Sequence, residues 1–161
     1  MSSEYHASTE RSASLEEETR IVIEEARMVL PGIQALFGFQ LIAVFNNRFK
    51  DFTDKEQVFH FSALLMVALA IALIMTPAAY HRIAERGIVS RRFVDLASRF
   101  LECAMVPMML GISMDLFLLA RLIFNNVPLS AAVAIAMLLV FFGFWYVFPW
   151  TAGALHARER E

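Results

Sequence analysis

One cysteine, Cys103, stands in the whole chain of 161 residues, so no intrachain disulfide can form; its apolar neighbours predict a small buried hydrophobe there. Strong charge is missing too. The net charge is −2 and no basic run stands out, which removes the electrostatic footprint of a nucleic-acid binder. There is no Gly-rich phosphate loop, no metal-ligand spacing and no Ser/His/Asp set that can be placed on one site. Neither an enzyme, a catalytic residue, a metal nor a cofactor is therefore expected. The first residues, "MSSEYHASTERSAS", lack the apolar core and small-residue cleavage site of a signal peptide; residues 1–14 are expected to be a disordered polar tail.

What remains is apolar. Hydrophobic residues make up 58% of the chain, including 15 Phe and 9 Met, which places it among membrane proteins with the lipid bilayer as first partner. Crossing a hydrocarbon core takes about 20 apolar residues. Four stretches qualify, at about 28–45, 61–80, 101–124 and 129–150 within a membrane domain of 28–155. The runs are continuous rather than alternating, and a helix satisfies its own backbone in lipid, so the predicted fold is all-α, an integral membrane four-helix bundle. The connection "NNVP" is short enough to force the last two spans into an antiparallel hairpin.

Before the first span, Leu15, Thr19, Val22, Ala26 and Val29 recur at intervals of four and three. They form one narrow apolar stripe on a helix otherwise covered by Glu and Arg. Residues 15–27 are thus expected to be an amphipathic cytoplasmic helix, with Glu16/Arg20 and Glu24/Arg27 spaced for ion pairs. Either its charged face is simply solvated or it docks a cytoplasmic protein.

Orientation follows from the flanking cations. Arg11, Arg20, Arg27, Arg82, Arg86, Arg91, Arg92, Arg99, Arg158 and Arg160 fall on one side, against Arg48, Lys50, Lys55 and Arg121 on the other. That bias predicts both termini, the 156–161 tail and the loop "HRIAERGIVSRRF" in the cytoplasm. Trp145, Tyr146 and Trp150 then anchor the fourth span at that interface.

A shift of 79 positions aligns Gly32 with Gly111 and Phe45-Asn46-Asn47 with Phe124-Asn125-Asn126. This reads either as a tandem duplication of a two-helix hairpin or as chance similarity between two apolar hairpins. Pro31, Pro77, Pro107 and Pro149 place one proline in each span. Pro31 is expected to start a helix, Pro149 to end one and Pro107 to kink one.

The third span, "LECAMVPMMLGISMDLFLLAR", carries the charges that matter. A charge at the bilayer centre costs roughly 2.5–3.5 kcal/mol on insertion scales, so each needs an account. Centred near 111–114, the span puts Arg121 about 12 Å towards one edge and Glu102 about 15 Å towards the other, where Arg99 can pair with Glu102. Asp115 is left near the midplane. Gln34 and Gln40 of the first span straddle the same depth, so the first and third helices are expected to face each other, with the second and fourth towards lipid or another protomer. Asp115 is then either structural glue, hydrogen-bonded to a glutamine, or a carboxyl that loads and releases a proton or cation. Four helices leave little room for a pathway inside one chain, so transport implies a homo-oligomer.

Histidines supply secondary candidates. His60 and His81 lie 21 residues, about 31 Å, apart on one helix and cannot share a metal. His81 and His156 share a level at the cytoplasmic ends of two spans, where a pH-sensing role competes with ordinary interfacial placement.

The run "EEARMVLPGIQALFGF" (24–39), followed by "FNNRF" and "TPAAYHR", resembles a family of small bacterial four-span membrane proteins classed as a domain of unknown function. The resemblance rests on Glu25-x-Arg27, Gly32-x-Gln34-x-Leu36-Phe37-x-Phe39, Arg48-Phe49 and Pro77-x-x-Tyr80-His81-Arg82, and covers most of 15–155. Some relatives carry an automatic sodium:proton antiporter label. The resemblance implies four spans in a bacterial inner membrane, and no mechanism.

Overall fold

The computed structural model describes residues 2–84 and 90–158. Among them every regular element is helical: α1 (Ser2–Val44), a 3-10 turn (Asn47–Asp51), α2 (Asp54–Ala84), α3 (Arg91–Phe124), α4 (Val127–Phe142), a π turn (Gly143–Val147) and α5 (Phe148–Arg158). Four helical segments are long and apolar enough to cross a membrane, at Ser14–Val44, Asp54–Ala84, Arg91–Phe124 and Val127–Ala154. The last runs from α4 through the π turn into α5. The four form an antiparallel bundle. One end holds the α1–α2 and α3–α4 connections and is called the hairpin end; the other is the terminal end.

Local chemistry sets the boundaries. At the start of α2, Thr53-x-x-Glu56 makes a capping box in which the Thr53 backbone N–H and hydroxyl donate to Glu56 Oε2, both at 2.9 Å. Ser90 caps α3 by accepting from the Phe93 N–H at 3.1 Å. Asn125 ends α3 with φ 48°, a left-handed turn that asparagine tolerates. Asn126 then caps α4 by accepting from the Leu129 N–H at 3.0 Å, and Pro128 sits in the first turn, where no N–H is required. Two asparagines thus reverse the chain.

The interior is a seam between α2 and α3. On α2, His60, Ala63, Val67, Ala70, Ile74 and Pro77 are buried at alternating spacings of three and four. On α3, Ala97, Ala104, Gly111 and Leu118 are buried every seven residues. Small side chains at such positions let two helices approach closely, which is how membrane helices gain packing without a hydrophobic driving force. A Cβ on Gly111 would lie 2.8 Å from Val67 Cγ2 and 3.1 Å from the Ala63 carbonyl oxygen, so the backbones there touch. α1 packs on both α2 and α3, and α4 packs on α3.

This arrangement corrects the expectation that the second span faces lipid: α2 is central because its small heptad residues fit α3. α4 is the peripheral helix. Cys103 is exposed rather than buried, since it lies one position off the Ala104 seam. The polar segment expected to be disordered continues α1 back to Ser2; extending an existing helix adds hydrogen bonds without a new nucleus. The stripe on α1 holds at Leu15, Thr19, Val22 and Ala26 but then turns to Leu30 and Ile33, leaving Val29 exposed. Arg20 pairs with Glu17 at 2.7 Å rather than with Glu16, and Arg91 reaches Glu18 at 2.6 Å, tying α1 to the start of α3.

Prolines behave differently from expectation as well. Pro31 lies inside α1, and Pro149 comes after the π turn without ending the helix. The Phe148 N–H reaches back five residues to the Gly143 carbonyl, an irregularity just before Pro149, whose ring would clash with the Trp145 carbonyl in an ordinary α-helix. The 79-residue shift pairs positions that do different work here. Gly111 is in tight contact, while nothing lies within 4 Å of a Cβ on Gly32.

Candidate functional site

Three helices each send one polar side chain to a single point. From α1, Gln40 donates through Nε2 to Asp115 Oδ2 of α3 at 2.5 Å. From α2, His60 places Nε2 3.1 Å from the Gln40 backbone carbonyl and Nδ1 3.3 Å from Asp115 Oδ1. His60 and Gln40 are buried, and the Asp115 side chain is 23% exposed. Gln40 Oε1 is buried without a hydrogen-bond partner among the described residues, and Asp115 Oδ1, buried as well, meets His60 Nδ1 at ion-pair distance without a defined hydrogen bond.

Hydrogen-bond bookkeeping on His60 determines what the pair can do. A carbonyl only accepts, so Nε2 must carry a hydrogen to satisfy Gln40. In a neutral ring that leaves Nδ1 as an acceptor facing Oδ1, another acceptor when Asp115 is ionised. A favourable contact then requires one proton between them. It can reside on the ring, giving imidazolium and carboxylate, or on the carboxyl, giving two neutral partners.

The site is roofed by aromatic rings and opens sideways. Phe49 of the 3-10 turn meets the His60 ring edge-on at 5.5 Å between centroids, and Phe52 packs on Phe49 at 5.8 Å. An open cavity of about 460 Å³, lined by Gln40, Phe49, His60 and Asp115 among apolar residues, reaches the cluster between α1 and α3. Towards the hairpin end, Arg121 Nε pairs with Glu56 Oε1 at 3.2 Å, both side chains being mostly buried. Glu56 therefore serves the helix cap through one oxygen and Arg121 through the other.

The depth differs from that expected for Asp115. His60 is only six residues after Asp54, the first residue of α2, so the cluster lies about 9 Å inside that end. Contact with His60 thus places Asp115 in the hairpin-end half of the bundle rather than at its middle. Gln34 is not part of the site. It is exposed, because six residues from Gln40 carry it about 240° around α1.

The remaining candidates sit apart. Arg99 and Glu102 are both exposed and form no ion pair with each other among the described residues; the Glu102 backbone carbonyl instead accepts from the Tyr146 hydroxyl at 3.0 Å. His81 is half-buried at the terminal end, its ring 5.0 Å from that of Phe93. The side chain of His156 lies outside the described residues. Among the described residues no group of three His, Cys, Asp or Glu could hold a metal ion. His60 is the site residue that sequence reasoning missed. Its signal was the spacing, since it starts the three-and-four series of the α2 seam and so had to point inward.

Fold and site together define a multi-pass helical membrane protein with a His-Asp-Gln cluster buried between its first three spans. Residues 10–149 match the family of unknown function DUF6328, and the chain belongs to that family. No curated protein and no solved structure matches it. The segments that carry the resemblance read in the sequence line two cavities: Leu36, Phe39 and Phe49 the one at the cluster, and Arg27, Pro77, His81 and Arg82 a second at the terminal end.

Proposed function

We propose that this protein moves protons, or a cation exchanged for a proton, across a bacterial inner membrane as a homo-oligomer, with Asp115 and His60 as the loading site. The observation that carries the reading is the pairing of His60 with Asp115 once Nε2 is committed to the Gln40 carbonyl. Such a pair takes up and yields one proton without a second carboxylate. The open cavity beside it, in the hairpin-end half of the bundle, offers an entry. With the Arg-rich side in the cytoplasm, both termini are cytoplasmic and that entry is periplasmic. α4 and the π turn support the oligomer, because Ile135, Leu139 and Phe144 there are more than half exposed and can pack against a second copy.

Reconstitution into vesicles holding a pH-sensitive dye tests the reading. An imposed sodium or pH gradient is expected to drive proton flux in the wild type and none in Asp115→Asn. Equal flux in the two would remove Asp115 from the coupling step.

A second reading is favoured by the length of α1. A helix of 43 residues runs about 65 Å, twice the thickness of a hydrocarbon core, so a charged section projects beyond it. That section and the neighbouring basic loop would hold a cytoplasmic protein, making the membrane domain a scaffold. Pull-down with and without residues 1–27 separates the readings: a scaffold loses its partner, whereas a transporter keeps its flux.

A further inference from the structure

At the terminal end, an open cavity lies between α1 and the α2–α3 pair. α1 is tied there by Glu18 to Arg91 and at the other end by Gln40 to Asp115. Between these two ties, the small side chains of Ala26, Ala78 and Ala97 help line the space between the three helices. This space is an apolar cavity of about 560 Å³, within the roughly 300–1,000 Å³ typical of ligand pockets. It opens outward between exposed residues such as Ile23 and Met75.

The charged groups on this cavity are of one sign. Arg27 and Arg82 line it together with His81, and among the described residues no carboxylate does. Neither arginine has an ion-pair partner among the described residues. Arg82 lies two residues from the end of α2, so the cations stand where the helices leave the apolar layer. Below them the lining is Leu30, Ile74 and Pro77. Two guanidinium groups above an acyl-sized apolar cleft match a phosphate joined to a hydrocarbon chain.

We infer that this cavity is a binding site for an anionic phospholipid. Arg27 and Arg82 hold the phosphate, and one acyl chain lies in the cleft between α1 and the α2–α3 pair. A zwitterionic headgroup is disfavoured because its ammonium meets the same two cations. The site is separate from the His60–Asp115 cluster and does not depend on proton movement.

Native mass spectrometry of the full chain released from detergent tests the inference, with phosphatidylglycerol and phosphatidylcholine as the two probes. Retention of phosphatidylglycerol is expected to exceed that of phosphatidylcholine, and Arg27→Ala/Arg82→Ala to weaken it on the order of tenfold while leaving phosphatidylcholine unchanged. Ala78→Phe keeps both charges but fills the cleft, and is expected to lower phosphatidylglycerol retention as well. Inorganic phosphate in excess should not displace the lipid, because it lacks the chain. Equal retention of the two lipids, displacement by phosphate, or wild-type retention by either folded variant would overturn the assignment. Should the double arginine variant not fold, Ala78→Phe decides alone.

Discussion

His60 and Asp115 meet across α2 and α3 with Nδ1 3.3 Å from Oδ1, while the opposite ring nitrogen is held 3.1 Å from the Gln40 carbonyl. The backbone carbonyl of α1 can only accept, so it favours the tautomer of His60 with hydrogen on Nε2 and leaves Nδ1 facing a carboxyl on α3. A consequence is open to nitrogen-15 NMR. His60 Nε2 should carry its hydrogen on both sides of neutrality, whatever happens at Nδ1. Loss of the hydrogen from Nε2 with Nδ1 protonated would mean the Gln40 carbonyl does not set the ring.

Asp115 can be tested for glue and for titration separately. In Asp115→Asn the side-chain amide can donate to His60 Nδ1 and its carbonyl can accept from Gln40, so every direct contact is kept without an exchangeable acid. Its stability should stay near wild type. Asp115→Leu instead strands the Gln40 amide and the ring nitrogen, at a cost of about 1–3 kcal/mol. Unfolding in mixed micelles with added denaturing detergent measures both. If Asn is as damaging as Leu, the hydrogen bonds are not what Asp115 supplies.

Gly111 marks a tight approach of α3 to α2. Val67 is fully buried and the Ala63 oxygen is backbone, so neither neighbour can yield to a new Cβ. Gly111→Ala is expected to cost about 1–3 kcal/mol by overpacking, despite the better helix propensity of alanine. Gly38 is the control. Nothing lies within 4 Å of a Cβ there, and Gly38→Ala should be neutral or stabilising by up to about 1 kcal/mol. Similar thermal midpoints for the two variants would contradict the seam.

The cluster and the seam differ in how far the sequence reveals them. The four spans and their helical state are legible because continuous apolar runs have one low-cost form in lipid, and Asp115 with Gln40 because an intramembrane acid needs a polar partner. Gln34 misleads when depth alone is considered, since rotation about the helix removes it from Gln40's face. The role of α2 is hidden for a related reason. Mean hydropathy says how apolar a helix is, but Ala63, Ala70 and Ala97 matter through being small, and the pairing of small residues on two helices is a three-dimensional fact. His60 is masked by its nearness to the end of a span, where histidines are ordinarily wet; the inward spacing with Ala63 and Val67 is the stronger signal.

Glu56 has two duties whose costs can be separated. Thr53→Ala removes the capping hydroxyl and should cost about 1 kcal/mol, leaving the Arg121 pair in place. Arg121→Ala leaves Glu56 mostly buried with its cap intact but its charge uncompensated, and should cost more. Since the two substitutions act on different oxygens of one carboxylate, their effects should be coupled rather than additive. Strict additivity in a double-mutant cycle would show that the cap and the ion pair are independent.

Pro149 offers the last test, because it connects a backbone irregularity to a contact on another helix. The π turn before it contains one residue more than an α-helical turn, and Tyr146 inside that turn donates to the Glu102 carbonyl at 3.0 Å. Pro149→Ala restores an N–H and removes the ring that would clash with the Trp145 carbonyl in a regular helix, so the segment is expected to close into ordinary α-helix. Losing the extra residue rotates the downstream helix by about 100° relative to Phe142. Tyr146 then leaves α3. Tyr146→Phe should therefore lower stability in the wild-type background by about 1 kcal/mol and have no effect in the Pro149→Ala background. The same loss in both backgrounds would show that Pro149 has no part in aiming the tyrosine.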